Sequence, residues 1–245
     1  DVSPAGRSDI AHHLHPYTQL RQLERDGPLV IVKGDGVHVF DEHGNRYLEA
    51  MAGLWCASLG FSEPRLAAAA EKQMRTLPYY HSFSGKVPEI STLLAEQTMA
   101  VAPEGLARVF FANSGSEAND SAAKLVWYYN NALGRTAKKK IISRKRAYHG
   151  VTVASGSMTG LAFAHTDWDL PAARMLHTST PHYWRGAQPG ESEEAYSARL
   201  ADELEALIQA EGPDTVGGFI AEPVMGAGGV IVPPAGYFER VQQVL

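Results

Sequence analysis

The densest chemistry in this chain lies in Asn113-Ser114-Gly115-Ser116-Glu117-Ala118-Asn119-Asp120, between the apolar run Val109-Phe110-Phe111 and an amphipathic stretch ending near Tyr129. It reads as a strand, a tight turn and a helix start. The first N–H groups of a helix have no partner within it, and the helix dipole adds partial positive charge there, so the position suits an anion such as phosphate. Ser114 and Ser116 add hydroxyl donors, and Gly115 lets the backbone approach an anion closely. A plain helix cap, with Ser114 or Ser116 at the N-cap and Glu117 in the first turn, explains the same residues equally well on local chemistry.

Two further clusters could share a site with that turn. Tyr148-His149-Gly150 follows a short apolar strand and closes on a glycine, which puts a ring and an imidazole at a strand's mouth; a tyrosine with its ring in the core is the commoner alternative. Glu222 stands just past another apolar strand and is followed by Gly226-Ala227-Gly228-Gly229. An ion pair or a capping contact is the alternative for that carboxylate, and a glycine-rich turn alone is a weak signal. Trp55 in Met51-Ala52-Gly53-Leu54-Trp55-Cys56 and Phe83 in Pro78-Tyr79-Tyr80-His81-Ser82-Phe83 are either pocket or ordinary aromatic core. His12, His13 and His15 are close together, but without an acidic or cysteine partner at ligand spacing they read as a tail or as packing against a partner, and no metal is assigned.

The elements that position these residues change character along the chain. Residues 1 to about 30 read as polar and irregular. Val30–Val32, Val37–Phe40 and Tyr47–Ala50 are short strands separated by turn sequences, which predicts an antiparallel meander. Gly34-x-Gly36 has no third glycine and precedes a strand, so it is not a dinucleotide loop. From Glu63 onward helix and strand alternate: helices over Leu66–Met74, Glu89–Met99, Ser116–Leu133 and Glu193–Gln209, strands over Arg108–Ala112, Ile141–Ser143 and Gly217–Ala221, and a last helix begun near Gly236. This is an α/β pattern with a mostly parallel sheet, whose ligand sites lie at the strands' carboxyl ends. The three clusters all fall at such ends.

Composition narrows the class. The chain has 245 residues, 44% of them hydrophobic, enough for a buried core. Its formal charge of −5, from 27 acidic and 22 basic residues spread along the chain, points away from nucleic acid or a membrane surface as partner. The one basic concentration, Lys138-Lys139-Lys140 with Arg144, Lys145 and Arg146, reads as a solvated loop flanking a short strand. The single cysteine, Cys56, excludes an internal disulfide and reads as packed. No apolar run approaches the roughly 18 residues of a membrane span, and no charged-then-apolar leader is evident, so the expected location is the cytoplasm.

Taken together and in order, these motifs resemble the class III aminotransferases, and Met51–Cys56 is similar to their amine:pyruvate (ω-transaminase) branch. The resemblance runs from about His15 onward. It implies fold type I, with residues 1–60 forming a tail and part of a small domain and 61–245 the first part of the large cofactor-binding domain. It implies pyridoxal 5'-phosphate as cofactor, bound by Ser114, Gly115, Ser116, Tyr148, His149 and Glu222, with Tyr148 stacked on the pyridine ring. Trp55, Phe83 and Tyr148 would line the substrate pocket, the segment of Phe83 reaching into a neighbouring subunit of a homodimer. The activity implied is transfer of an amino group from an amine or ω-amino acid to a keto acid such as pyruvate.

One departure from the family's pattern limits this. The family needs a lysine that holds the cofactor's aldehyde as a Schiff base and an aspartate paired with the pyridinium nitrogen, both C-terminal to the glutamate motif. Here no lysine follows Lys145 and no aspartate follows Glu222. Neither Lys124 nor Lys145 lies in the family's lysine motif, so no catalytic residue is assigned, and the chain is expected to be the N-terminal portion of a longer enzyme. The alternatives are a decarboxylase or aminomutase on the same fold, and a non-catalytic fragment.

Overall fold

A computed structural model describes residues 2–245. They fall into two units that divide after Ala100.

In the first unit, the expected meander forms. Strands β1 (Ile31–Asp35), β2 (His38–Asp41) and β3 (Arg46–Leu48) pair antiparallel in that order. The turn between β2 and β3 is organised by one carboxylate. Asp41 accepts from the N–H groups of His43 and Asn45, the Asn45 amide and the Tyr47 hydroxyl. These bonds, led by the Asn45 amide, hold the Asp41 carboxyl down at about 2.

The remaining elements of this unit are helical: α1 (Pro4–His12), α2 (Leu20–Asp26), the single left-handed turn α3 (Ala52–Trp55), α4 (Pro64–Thr76) and α5 (Glu89–Val101). The first two replace the irregular segment expected there. Ser3 caps α1, which starts on Pro4, and Gly27 at φ 79° ends α2. Among the described residues of this unit only Gly6, Val39 and Asp41 are buried. Leu66, Ile90, Leu93 and Leu94 face outward, an apolar surface of the kind that meets other chain. Cys56, expected to be packed, is exposed.

The histidine cluster does have an acidic partner. Asp9 lies one helical turn before His13, and its two oxygens meet His13 Nδ1 at 2.9 Å and His15 Nε2 at 2.7 Å. Those separations are direct hydrogen bonds. Two ligands of one tetrahedral zinc ion stand about 3.3 Å apart.

The second unit contains the parallel sheet. Strands β4 (Lys140–Arg144), β5 (Met175–Thr178) and β6 (Val216–Phe219) run parallel in the order β5-β4-β6. Alternation along β4 sends Ile141 and Ile142 to opposite faces. Ile142 packs with Tyr196, Leu200 and Leu204 of α9 (Glu193–Glu211) and with Tyr237 and Val241 of α10 (Tyr237–Val244). Ile141 packs with Ala123 of α6 (Gly115–Ala132) and Met158 of α7 (Val153–Met158). A short α8 (Tyr183–Gly186) links β5 to α9. Helices on both faces of a parallel sheet make this the expected α/β architecture.

One expected strand is overturned. Arg108–Ala112 pairs with no described strand, and Phe110 and Phe111 are exposed. An apolar run becomes a strand only when a neighbour completes its ladder. Strand β5, in turn, was not anticipated.

Candidate active site

The site assembles where α6 begins and where β4 and β6 end. Ser114 is the N-cap of α6, and its hydroxyl oxygen accepts from the Glu117 N–H at 3.1 Å. The Glu117 carboxylate reaches back to the Asn113 N–H and amide. This is a helix cap, as one of the two readings held. It satisfies the third N–H of the helix and leaves those of Gly115 and Ser116 ahead of the helical ladder, with no protein acceptor among the described residues. Capping and anion binding are therefore compatible here. Ser116 Oγ accepts from the Val151 N–H at 3.0 Å, which leaves its own hydroxyl proton available to donate.

Past β4 the chain turns through Tyr148, His149 and Gly150. The Tyr148 side is partly open to solvent, whereas His149 is buried. Burial, the dominant cause, pushes the His149 imidazole down to about 4; Arg144 and His177 push the same way and the Glu222 charge opposes them. The ring is neutral at pH 7. Its Nε2 is a buried polar atom with no partner. Gly150 has φ 134°, and a Cβ there would collide with the hydroxyls of Ser116 and Ser155, so the turn requires glycine.

Glu222 is neither an ion pair nor a helix cap. One carboxylate oxygen accepts from the Tyr148 N–H at 3.0 Å and the other from the Gly226 N–H at 2.8 Å, while its backbone oxygen accepts from Arg144 at 2.5 Å. Arg146 adds two bonds to the Gly228 carbonyl. Together they fasten the Tyr148 turn to the glycine-rich turn after β6.

Arg144 corrects the solvated-loop reading of the basic cluster. It is fully buried, with its guanidinium 5.9 Å from the Tyr237 ring and 5.8 Å from the Phe238 ring, and its Nε and Nη1 have no partner. Its signal was periodicity: two residues after Ile142 on a strand, it shares that residue's inward face. Asn119 and Asp120 were also passed over. Asn119 donates to the His149 carbonyl at 2.6 Å, and Asp120 accepts from the Thr152 hydroxyl and the Ser155 N–H.

The second unit thus brings Ser114, Gly115, Ser116, Tyr148, His149 and Glu222 into one hydrogen-bonded neighbourhood. Lys124 and Lys145 are both exposed. Trp55 and Phe83 belong to the first unit and are exposed there. Trp55 closes an unusual turn in which Ala52, Gly53, Leu54 and Trp55 all have φ between 48° and 67°. For the three non-glycine residues this left-handed geometry costs roughly 1–2 kcal/mol each.

Comparison with known proteins adds the family. The model for Aminotransferase class-III matches residues 21–244. Gamma aminobutyrate transaminase 1, mitochondrial, of Solanum lycopersicum is 52% identical over 248 residues, covering 100% of this chain and 48% of the relative. The omega transaminase from Pseudomonas jessenii in complex with PMP superposes with a TM-score of 0.97 at 55% identity, over 99% of this chain and 53% of that one. A thermostable omega transaminase variant, engineered at a tryptophan, a phenylalanine and an arginine for asymmetric synthesis of enantiopure bulky amines, gives a TM-score of 0.97 at 54% identity over 98% of this chain and 54% of that one. The chain spans about half the length of the relatives it matches. The expectation of a cytoplasmic protein is overturned by the mitochondrial relative, because a low cysteine count excludes internal disulfides without specifying a compartment.

Proposed function

The chain belongs to the class III aminotransferases, and from that premise we propose that the whole protein moves an amino group from an amine or ω-amino acid to a keto acid such as pyruvate, using pyridoxal 5'-phosphate. The observation that carries this reading is the convergence of free helix N–H donors, a half-open tyrosine ring and a buried neutral imidazole in one neighbourhood. The donor set fits the cofactor: N–H groups and a hydroxyl for a phosphate, and a partly exposed ring face for a ring. The names of the relatives, a γ-aminobutyrate transaminase and ω-transaminases, support an ω-amino donor.

When bound, the cofactor supplies an electron-withdrawing ring that stabilises the carbanion left as the substrate's C–H proton departs. The N–H groups of Gly115 and Ser116 and the hydroxyls of Ser114 and Ser116 would hold its phosphate at the positive end of α6. Tyr148, whose ring is partly exposed, would orient the cofactor's ring. Glu222 holds the Tyr148 turn, and His149, buried and neutral, adds no charge beside it. Trp55 and Phe83 select the amine; they are separated in sequence as are the tryptophan and phenylalanine of the engineered variant. Proton transfer is assigned to no residue of this chain. The proposal includes a homodimer and the domain division at residue 60.

The test is alanine formation from pyruvate by the full-length protein, with γ-aminobutyrate and a simple primary amine as donors. Cofactor-dependent alanine supports the reading. Carbon dioxide release instead would favour a decarboxylase, isomerised donor an aminomutase, and no turnover with full cofactor occupancy would contradict transfer.

A further inference from the structure

Three side chains on one face of α6 grip the segment that carries Tyr148. Ser116 takes the Val151 N–H, Asn119 donates to the His149 carbonyl, and Asp120 Oδ1 accepts both the Thr152 hydroxyl at 2.7 Å and the Ser155 N–H at 2.8 Å. Residues three and four apart on a helix are neighbours, which is why 116, 119 and 120 act together. Thr152 is the N-cap of α7 and Ser155 its third residue, so Asp120 caps one helix from the side of another. From Ser155 to Met158, α7 is buried and cannot shift freely. The Ser116 and Ser155 hydroxyls both occupy the space a Gly150 side chain would need.

Building on the proposed function, we infer that Asp120 is a positioning residue for the cofactor. Its carboxylate ties α7 to α6 and so fixes the Tyr148 ring relative to the Ser116 hydroxyl and the free N–H groups of the α6 terminus. It acts through the segment it holds, by its bonds to Thr152 and Ser155. A carboxylate near a phosphate site is electrostatically unfavourable, which separates two explanations of any mutant. If geometry is its role, Asp120→Asn, which keeps the Oδ1 acceptor and removes the charge, preserves the site. If charge is its role, Asn and Ala behave alike.

The experiment uses the full-length protein with pyridoxal 5'-phosphate as probe. Asp120→Ala is expected to weaken cofactor retention by about tenfold, Asp120→Asn to stay within about threefold of wild type, and Thr152→Val, a milder cut of the same link, to fall between them. Amide hydrogen exchange at Val151–Ser155 in the cofactor-free protein should accelerate in Asp120→Ala and not in Asp120→Asn. Unchanged retention in Asp120→Ala, equal damage by Asn and Ala, or unaltered exchange would each overturn the inference. Failure of the wild type to retain the cofactor would overturn the proposed function instead, and the exchange result would still decide whether Asp120 holds the segment.

Discussion

The two regions proposed to act on cofactor and substrate are built in opposite ways. Around Ser116, Tyr148 and Glu222, hydrogen bonds join residues 30 to 82 positions apart, so that α6, the turn after β4 and the turn after β6 constrain one another. The Trp55 turn depends on near neighbours: the Glu49 carboxylate accepts from the N–H groups of Met51 and Gly53, and the rest is local backbone bonding. The first arrangement suits a ligand that never changes, since each contact is fixed by several others. The second suits a surface that meets different substrates, because a strained and exposed turn can be altered without disturbing a core.

Breaking the braced region should have the largest effect. Glu222→Ala removes the acceptor for two N–H groups, and hydrogen bonds to a charged group are worth about 1.5–3 kcal/mol each, so cofactor retention should fall by roughly a hundredfold or more. Equilibrium dialysis against the cofactor measures it. Retention close to wild type would mean that the two turns do not depend on each other.

Acidification tests the same region at similar size. The unfolded chain's imidazole takes a proton near pH 6.5, while buried His149 resists until about 4. Below pH 6.5 the unfolded state binds more protons than the native one, so stability is full above 6.5 and declines as pH falls toward 4, by about 3 kcal/mol in all. Urea denaturation of the cofactor-free protein across that window should show the decline, flattened in His149→Gln. A profile identical in the variant would place the titration elsewhere.

Changes in the locally held turn should be smaller and of another kind. Trp55→Gly should shift the preference between bulky and small amines by about tenfold while leaving cofactor retention within about twofold. The reverse result would make Trp55 structural. Smallest of all, Leu54→Gly relieves a left-handed residue whose side chain is already exposed, and melting should shift upward by the equivalent of less than about 1 kcal/mol.

The sequence made legible what is encoded locally. Helices α6 and α9 carried apolar spacing, α6 carried its cap candidate at Ser114, and the meander carried its turns. What depends on distant partners was not legible. Arg108–Ala112 has the apolar residues of a strand and no ladder, while Met175–Thr178 has weak alternation and becomes a strand because Ile141 and Arg144 pair with its ends. The site followed the same division. Its turn and its tyrosine stood out as motifs, whereas the bracket made by Glu222 and the burial of Arg144 required knowing which segments meet.

The central claim is that the N-terminus of α6 receives the phosphate of a pyridoxal cofactor. The direct measurement is the dissociation constant of pyridoxal 5'-phosphate for the full-length protein and for Ser116→Ala. If the hydroxyl contacts the phosphate, the variant should bind more weakly by about 1–3 kcal/mol, roughly five- to 150-fold. Equal affinity in the two proteins would remove Ser116 from the site and contradict the claim.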